Sequence, residues 1–293
     1  GARKRNKVIR KAVVKGVAIE LERGNIVDCR AEALVNAANS LSFTRMDCGV
    51  SGALRNACLA SPNASAGGKG GSSSAKHPNP KGSDGKKHVA KAKYDPSKTI
   101  DPSSSDGTVV GAVKIYWTDD GKEKQSKKLP TTQAGVQSAA GILLARGVKH
   151  IIHAVGPNWM DYPVEEKTFE IVTPLIKRTV RRALRCAVKM NVKSVALPAI
   201  SGGIFTHWKP NSNIKEREQM AARSAVVEAA FEFAANQSND IEREGGGSLE
   251  RIILVDLPKK KRGSIHLFAK AFDLILPELN EKEKVVQNEK GDG

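Results

Sequence analysis

The chain has 293 residues, 40% of them hydrophobic, with a formal net charge of +17 at pH 7. This length and composition can supply a core for one large domain or two small ones, and the charge favours polyanionic partners without dictating a fold. No apolar run reaches the ~18–20 residues that span a bilayer, and the N-terminus has no apolar signal segment. We therefore expect an intracellular protein without a membrane partner. The four cysteines have no metal-binding spacing and do not suggest a disulfide framework, so we expect neither a metal nor another cofactor.

The N-terminal residues are basic. Residues 1–12 contain no acidic side chain, which predicts a solvated tail, with a targeting or nucleic-acid-binding arm as the alternative. Val17–Val27 then predicts an edge strand followed by a turn.

Residues 33–60 predict a strand, a polar loop and a helix, in that order. Ala33–Asn39 is an apolar run with two asparagines, and helical spacing of apolar residues begins at Gly49. The free N–H groups and the positive dipole end at the start of such a helix suit an anion. Gly49 and Gly52 would let the backbone approach that anion closely.

Residues 61–107 are rich in Gly, Ser, Pro and Lys and nearly free of large apolar side chains. Such a segment cannot bury enough surface to offset its conformational entropy, so we predict a disordered, basic, low-complexity insertion. A hairpin is predicted next, with its turn at Asp120–Gly121. An apolar strand follows at His150–Gly156, in which His153 is predicted to be a core residue rather than a catalyst.

Two further helices and two strands complete the predicted fold. The first helix carries several arginines, which predict either a solvated face or a basic stripe for nucleic acid. Its apolar side is predicted to consist of Ile171, Leu175, Val180, Leu184 and Val188. A buried strand at Val195–Leu197 runs into a loop with Gly202 and Gly203, followed by a helix at about 216–236. A last buried strand and a helix capped by Ser264 close the domain.

Together these motifs resemble the macro domain family, which binds ADP-ribose. The matching motifs occur in the family's order and span roughly residues 14–276. They are GNI (24–26), ALVNAAN (33–39), CGVSGAL (48–54), IIHAVGPNW (151–159) and LPAISGGIF (197–205). The resemblance implies an α/β fold of three α/β/α layers with a mixed central sheet.

The resemblance also implies a binding site. Asn25 and the Ile26 amide are expected to hold adenine, and the backbone amides of the two glycine-containing loops are expected to hold the diphosphate. Asn39 is expected at the distal ribose, where it is the candidate catalytic residue. The complete expected set is Asn25, Ile26, Asn36, Asn39, Gly49, Val50, Ser51, Ser201, Gly202, Gly203, Ile204 and Phe205.

The chain departs from the family pattern at two positions. Asn25 stands where an aspartate is usual, and a neutral amide accepts a weaker hydrogen bond than a carboxylate. Ser51 stands where one hydrolytic branch has an aspartate, and a serine is not a general base at neutral pH without help. Other hydrolytic members lack that aspartate as well.

Three functions are compatible with these residues. The first is an ADP-ribose-binding reader of ADP-ribosylated protein. The second is a hydrolase of mono-ADP-ribosyl esters or O-acetyl-ADP-ribose, and the third is a basic nucleic-acid-binding protein with a vestigial pocket, which would use the basic segments for weak polyanion contacts. The predicted organisation is a tail at 1–12, a macro domain at 13–278 and a charged C-terminal tail at 279–293.

Overall fold

The computed structural model describes residues 6–38, 49–60, 114–118, 120–126, 129–207, 213–244, 247–258 and 264–277. The predicted insertion at 61–107 and the predicted C-terminal tail lie outside the described residues. Within them, the strands are β1 (Lys7–Val14), β2 (Val17–Arg23), β3 (Ala33–Ala38), β4 (Lys114–Trp117), β5 (Glu123–Ser126), β6 (Ala134–Ser138), β7 (His150–Val155), β8 (Ser194–Leu197) and β9 (Arg251–Asp256). The α-helices are α1 (Gly49–Leu59), α2 (Gly141–Ala145), α3 (Glu166–Lys189), α4 (Ile214–Glu244) and α5 (265–277).

All these strands form one mixed sheet in the order β1-β2-β9-β8-β3-β7-β6-β4-β5. The five central strands, β2, β9, β8, β3 and β7, are parallel to one another, and the outer pairings are antiparallel. The predicted hairpin is confirmed, because β4 and β5 pair across Gly121, whose φ is +80°.

The central strands are apolar because helices cover both faces of the sheet. On one face Leu34 of β3 belongs to a core that includes Leu54 of α1. On the other face Val35 belongs to a larger core with Ile176 of α3 and Ala229 of α4. The predicted three-layer α/β/α fold is therefore confirmed.

Strand β1 corrects the prediction for the N-terminal residues. Lys7–Val14 is not a solvated tail but pairs with β2, so β1, and not β2, is the edge strand on this side. Its basic side chains remain at the surface, where Arg10 meets Asp273 at 2.6 Å and Lys11 meets Glu20 at 3.0 Å. Charged side chains are common on edge strands, which is why composition alone suggested a tail.

The predicted apolar side of α3 is correct in part, because Val180, Leu184 and Val188 are buried. Val172, Ile176 and Val180 are buried, whereas Ile171 is 45% exposed. Each residue of an α-helix advances by about 100°, so nine steps place Ile171 opposite Val180. The helix was predicted correctly, but these two residues cannot share one apolar face.

The parallel strands place five connections at one edge of the sheet. Because their carboxyl ends meet there, the segments that follow β2, β3, β7, β8 and β9 all start from this edge, the usual ligand position in open α/β sheets. No helix in the described part of the chain combines the length and apolarity needed to cross a membrane.

Candidate anion-binding site

In the loop after β8, residues 198–207, three successive carbonyl groups accept hydrogen bonds from side chains of the protein. The carbonyl of Ser201 accepts a 3.1 Å hydrogen bond from the indole Nε1 of Trp159. The carbonyl of Gly202 accepts one of 3.1 Å from Arg223 Nη1, and that of Gly203 accepts one of 2.9 Å from Thr206 Oγ1. Three successive peptide oxygens are therefore held by side chains of the domain itself.

This arrangement turns two amides of the β8 loop outward. In a planar trans peptide the N–H points opposite to the preceding carbonyl, so the N–H groups of Gly203 and Ile204 face away from Arg223 and Thr206. Neither amide donates a hydrogen bond to another residue in the described part of the chain. Gly203 is exposed and Ile204 is 72% exposed. Successive free amides of this kind form an anion-binding concavity.

Ser201 and Phe205 fix the two ends of this turn. Ser201 is buried, has a φ of 57°, and donates its hydroxyl to the Pro157 carbonyl at 2.6 Å. The carbonyl of half-buried Phe205 accepts a 3.0 Å hydrogen bond from the Trp159 amide. The hydroxyl of Ser201 is thus used internally, and the groups that this loop offers to a ligand are mainly backbone amides.

Helix α1 supplies a second set of donors at the same edge. It begins at Gly49, which has a φ of +58°, and a Cβ at Gly49 would meet no atom within 4 Å. Val50 is half-buried and packs against the core formed around Leu54. The first turn of α1 therefore presents free N–H groups and the positive end of the helix dipole. Asn39 lies outside the described residues.

Four side chains, three of them buried and that of Ser51 half-buried, form a polar chain behind the start of α1. Ser51 Oγ donates to Asn36 Oδ1 at 2.7 Å, and Asn36 Nδ2 lies 3.1 Å from His153 Nδ1. The other ring nitrogen of His153 lies 3.0 Å from Gln137 Oε1. Asn36 is 1% exposed, so its side chain bonds the other members of this polar chain and is not accessible to solvent.

The polar chain assigns one proton arrangement. With the side-chain amides of Asn36 and Gln137 oriented as they are in the structure, Asn36 Nδ2 donates and Gln137 Oε1 accepts, so His153 carries its proton on Nε2 and accepts at Nδ1. Burial, and secondarily the charge of Lys114, lower the pKa of His153 from 6.5 to about 3. The imidazole is therefore neutral at physiological pH but only weakly basic, and Asn36 stands between it and Ser51, so it is not placed to take the Ser51 proton.

The Asn25–Ile26 turn follows β2 at the same edge. Asn25 Oδ1 accepts a long 3.4 Å hydrogen bond from the Val27 amide at the start of a short 3₁₀ turn, Ile26–Asp28. Asn6 holds the backbone of Asn25 from both sides, accepting from its N–H and donating to its carbonyl, both at 3.0 Å. The side chain of Ile26 is buried, so the turn offers a ligand backbone rather than apolar surface.

Arg223 is the residue of this region that the motifs did not indicate. It is 3% exposed and lies beneath Gly202. A signal was present in the sequence, because Arg223 occupies the apolar stripe of α4 with Val226 and Val227, which are fully buried. A charged side chain at such a position requires a partner, and here that partner is Asp256.

No cluster of three or more His, Cys, Asp or Glu side chains that could hold a metal ion occurs among the described residues.

Part of the chain matches a known protein family. Residues 109–211 match the model of the family described as Macro domain. The mono-ADP-ribosyltransferase PARP14 of Homo sapiens is 33% identical over 122 residues, which is 42% of this chain but 5% of that protein. The uncharacterized protein PAE1111 of Pyrobaculum aerophilum is 29% identical over 192 residues, covering 66% of this chain and 68% of that protein.

Solved structures show the same fold. A macrodomain variant from Oceanobacillus iheyensis superposes with a TM-score of 0.55 at 14% identity, covering 94% of this chain and 96% of that one. The same organism's macrodomain with ADP gives a TM-score of 0.52 at 15% identity, covering 92% and 97%. At identities this low, the structural similarity establishes the fold alone. The bound ADP is a property of that relative.

Proposed function

The chain carries a macro domain, and we propose that it binds ADP-ribose and ADP-ribosylated groups as a reader of ADP-ribosylation. The proposal rests first on the outward amides of Gly203 and Ile204. Their neighbouring carbonyls are already satisfied within the protein, so a bound anion would gain two donors without breaking internal hydrogen bonds.

The other elements at the sheet edge support a dinucleotide-like ligand rather than a single phosphate. The start of α1 and the β8 loop both follow parallel strands, β3 and β8, which pair directly with each other. A diphosphate would lie between these two amide sets, and the Asn25–Ile26 turn would hold the adenine end. The relatives' printed descriptions, ADP in one case and mono-ADP-ribosyl transfer in another, are compatible with this class of ligand.

The polar chain favours binding over hydrolysis. The hydroxyl proton of Ser51 is donated to Asn36, which separates Ser51 from His153, and the low pKa of His153 makes it a weak base. In the part of the chain that the structure describes, no basic group contacts Ser51 to activate it as a nucleophile. The alternative is hydrolysis of mono-ADP-ribosyl esters or O-acetyl-ADP-ribose. It would need Asn39 or the substrate's own phosphate to position and activate the attacking water.

The nucleic-acid alternative receives less support from α3. Lys177 and Arg181 form ion pairs with Glu232 of α4, and Arg182 donates to the Thr132 carbonyl at 3.0 Å. These cations are therefore engaged within the domain rather than arranged as a free stripe for phosphates.

One pair of measurements on the same preparation tests the proposal. Calorimetry with ADP-ribose should show saturable binding, and a protein substrate mono-ADP-ribosylated on acidic residues should remain intact. Release of ADP-ribose from that substrate would favour the hydrolase instead. Absence of ADP-ribose binding, together with RNA binding that weakens steeply with salt, would favour the third function.

A further inference from the structure

Arg223 of α4 is joined to the β8 loop and to the end of β9. Its Nη1 donates to the Gly202 carbonyl at 3.1 Å and to the Gln219 carbonyl at 2.9 Å. Its Nη2 donates to Asp256 Oδ2 at 2.7 Å. The planar guanidinium thus spans three elements with its donors in a fixed geometry.

The packing around Arg223 leaves this geometry little freedom. A Cβ placed on Gly202 would lie 2.9 Å from Arg223 Nη1 and 3.0 Å from the Cβ of Ala199, so the loop backbone sits directly on the guanidinium. The carboxylate of Asp256 is itself held by the Leu257 amide at 2.7 Å and the Ser264 amide at 3.3 Å. The ring of Phe268 lies 5.5 Å from the guanidinium carbon on another side.

We infer that Arg223 is a positioning residue that sets the direction of the Gly203 amide. Because the Gly202 carbonyl is drawn toward the guanidinium, the N–H on the other side of the same planar peptide must point outward. This inference rests on the proposed function, since the outward N–H is the group offered to the diphosphate.

The effect of Arg223 is directional rather than a simple attraction of charge. Asp256 neutralises the guanidinium at 2.7 Å, so the pair as a whole presents little net charge to an anion. A lysine at position 223 would keep the positive charge but would lack the planar fork that bonds the Gly202 carbonyl and Asp256 together. R223K should therefore weaken binding even though the formal charge is unchanged.

The test measures ADP-ribose and adenosine binding to the wild-type chain, R223K, R223M and R223M/D256N. The double variant removes the carboxylate charge that R223M alone would leave unpaired in the interior, and thermal melting checks that each variant is folded. We expect ADP-ribose affinity to fall about tenfold or more in the folded variants, as for a lost charge-assisted hydrogen bond. Adenosine affinity, which does not involve the diphosphate, should stay within about twofold.

The shift of the Gly203 amide resonance on adding ADP-ribose gives the decisive readout. If Arg223 had a purely structural role, this shift would be the same in the wild type and in the folded variants. In the wild type ADP-ribose should shift this resonance, and in the folded variants the shift should be much smaller. The control is R181M, which removes an arginine that pairs with Glu232 away from the loop and should leave both affinities unchanged.

The outcomes separate the two proposals. If the wild type fails to bind ADP-ribose, the proposed function falls and the role of Arg223 falls with it. If the wild type binds and the folded variants bind equally well, with the same Gly203 shift, only the positioning role is overturned.

Discussion

The hydroxyl of Ser51 donates a 2.7 Å hydrogen bond to the side-chain oxygen of Asn36, which ties the first turn of α1 to strand β3. Asn36 is 1% exposed and also bonds His153. Both polar atoms of its side chain therefore bond other residues, and one of these bonds orients the start of α1. The position of the α1 amides at the sheet edge therefore depends on a buried polar chain as well as on apolar packing.

Replacing Ser51 with alanine should destabilise the domain without creating or removing a catalytic group. The buried Asn36 oxygen would lose its donor, which costs about 1–3 kcal/mol of unfolding free energy. Urea unfolding of S51A measures this loss, and S248A, which removes an exposed hydroxyl, is the matched control. A catalytic role for Ser51 would instead appear as lost hydrolysis at unchanged stability.

Stability should fall in mild acid because of His153. Its folded pKa is about 3 against an ordinary 6.5, so between these values the unfolded chain binds the proton more readily. The stabilisation is complete above about pH 6.5 and is lost as pH falls toward 3. From pH 7 to pH 5 this amounts to about 2 kcal/mol of unfolding free energy.

The measurement compares denaturant unfolding of the wild type and H153Q at pH 7 and pH 5. The carboxyl groups titrate in both proteins, so the wild type should lose about 2 kcal/mol more than the variant. Identical losses in the two proteins would mean that His153 can take up a proton while the domain stays folded.

Glutamate in place of Gly203 should abolish ADP-ribose binding. A Cβ at Gly203 would meet no atom within 4 Å, so the fold tolerates a side chain there. A carboxylate beside the outward amides would repel the diphosphate, and we expect a loss of about 100-fold or more, measured by calorimetry. G203Q, of similar size but neutral, should bind more tightly than G203E. Unchanged affinity in G203E would exclude the β8 loop from the site.

The Asn39 prediction comes from the motif alone. If the chain turns over an ADP-ribosylated substrate, N39A should reduce the rate more than the affinity, because an amide that orients the distal ribose or its water acts mostly in the transition state. Single-turnover hydrolysis and calorimetry on the same variant separate the two effects. Equal losses would assign Asn39 to binding only.

The sequence by itself determined the family resemblance and the order of most strands and helices, because these are local patterns, but it did not predict β1, β6 or α2. Glycines after apolar runs predicted where the chain turns at the sheet edge, and the motif from Leu197 to Phe205 indicated the second loop. The same local reasoning was wrong for Lys7–Val14 and for Ile171 on the predicted apolar side of α3. An exposed edge strand has the same composition as a solvated tail. On a helix, one residue wrongly assigned to the apolar side, here Ile171, changes the direction in which that side is inferred to face.

Only the tertiary structure decided which groups this edge offers to a ligand. The Gly202 carbonyl meets Arg223, 21 positions away, and Arg223 meets Asp256, 33 positions further on. Likewise the Asn36 side chain is turned inward by His153, 117 positions away. The direction of a peptide and the tautomer of a histidine are set by partners that adjoin only in the folded chain, so no local pattern of residues can specify them.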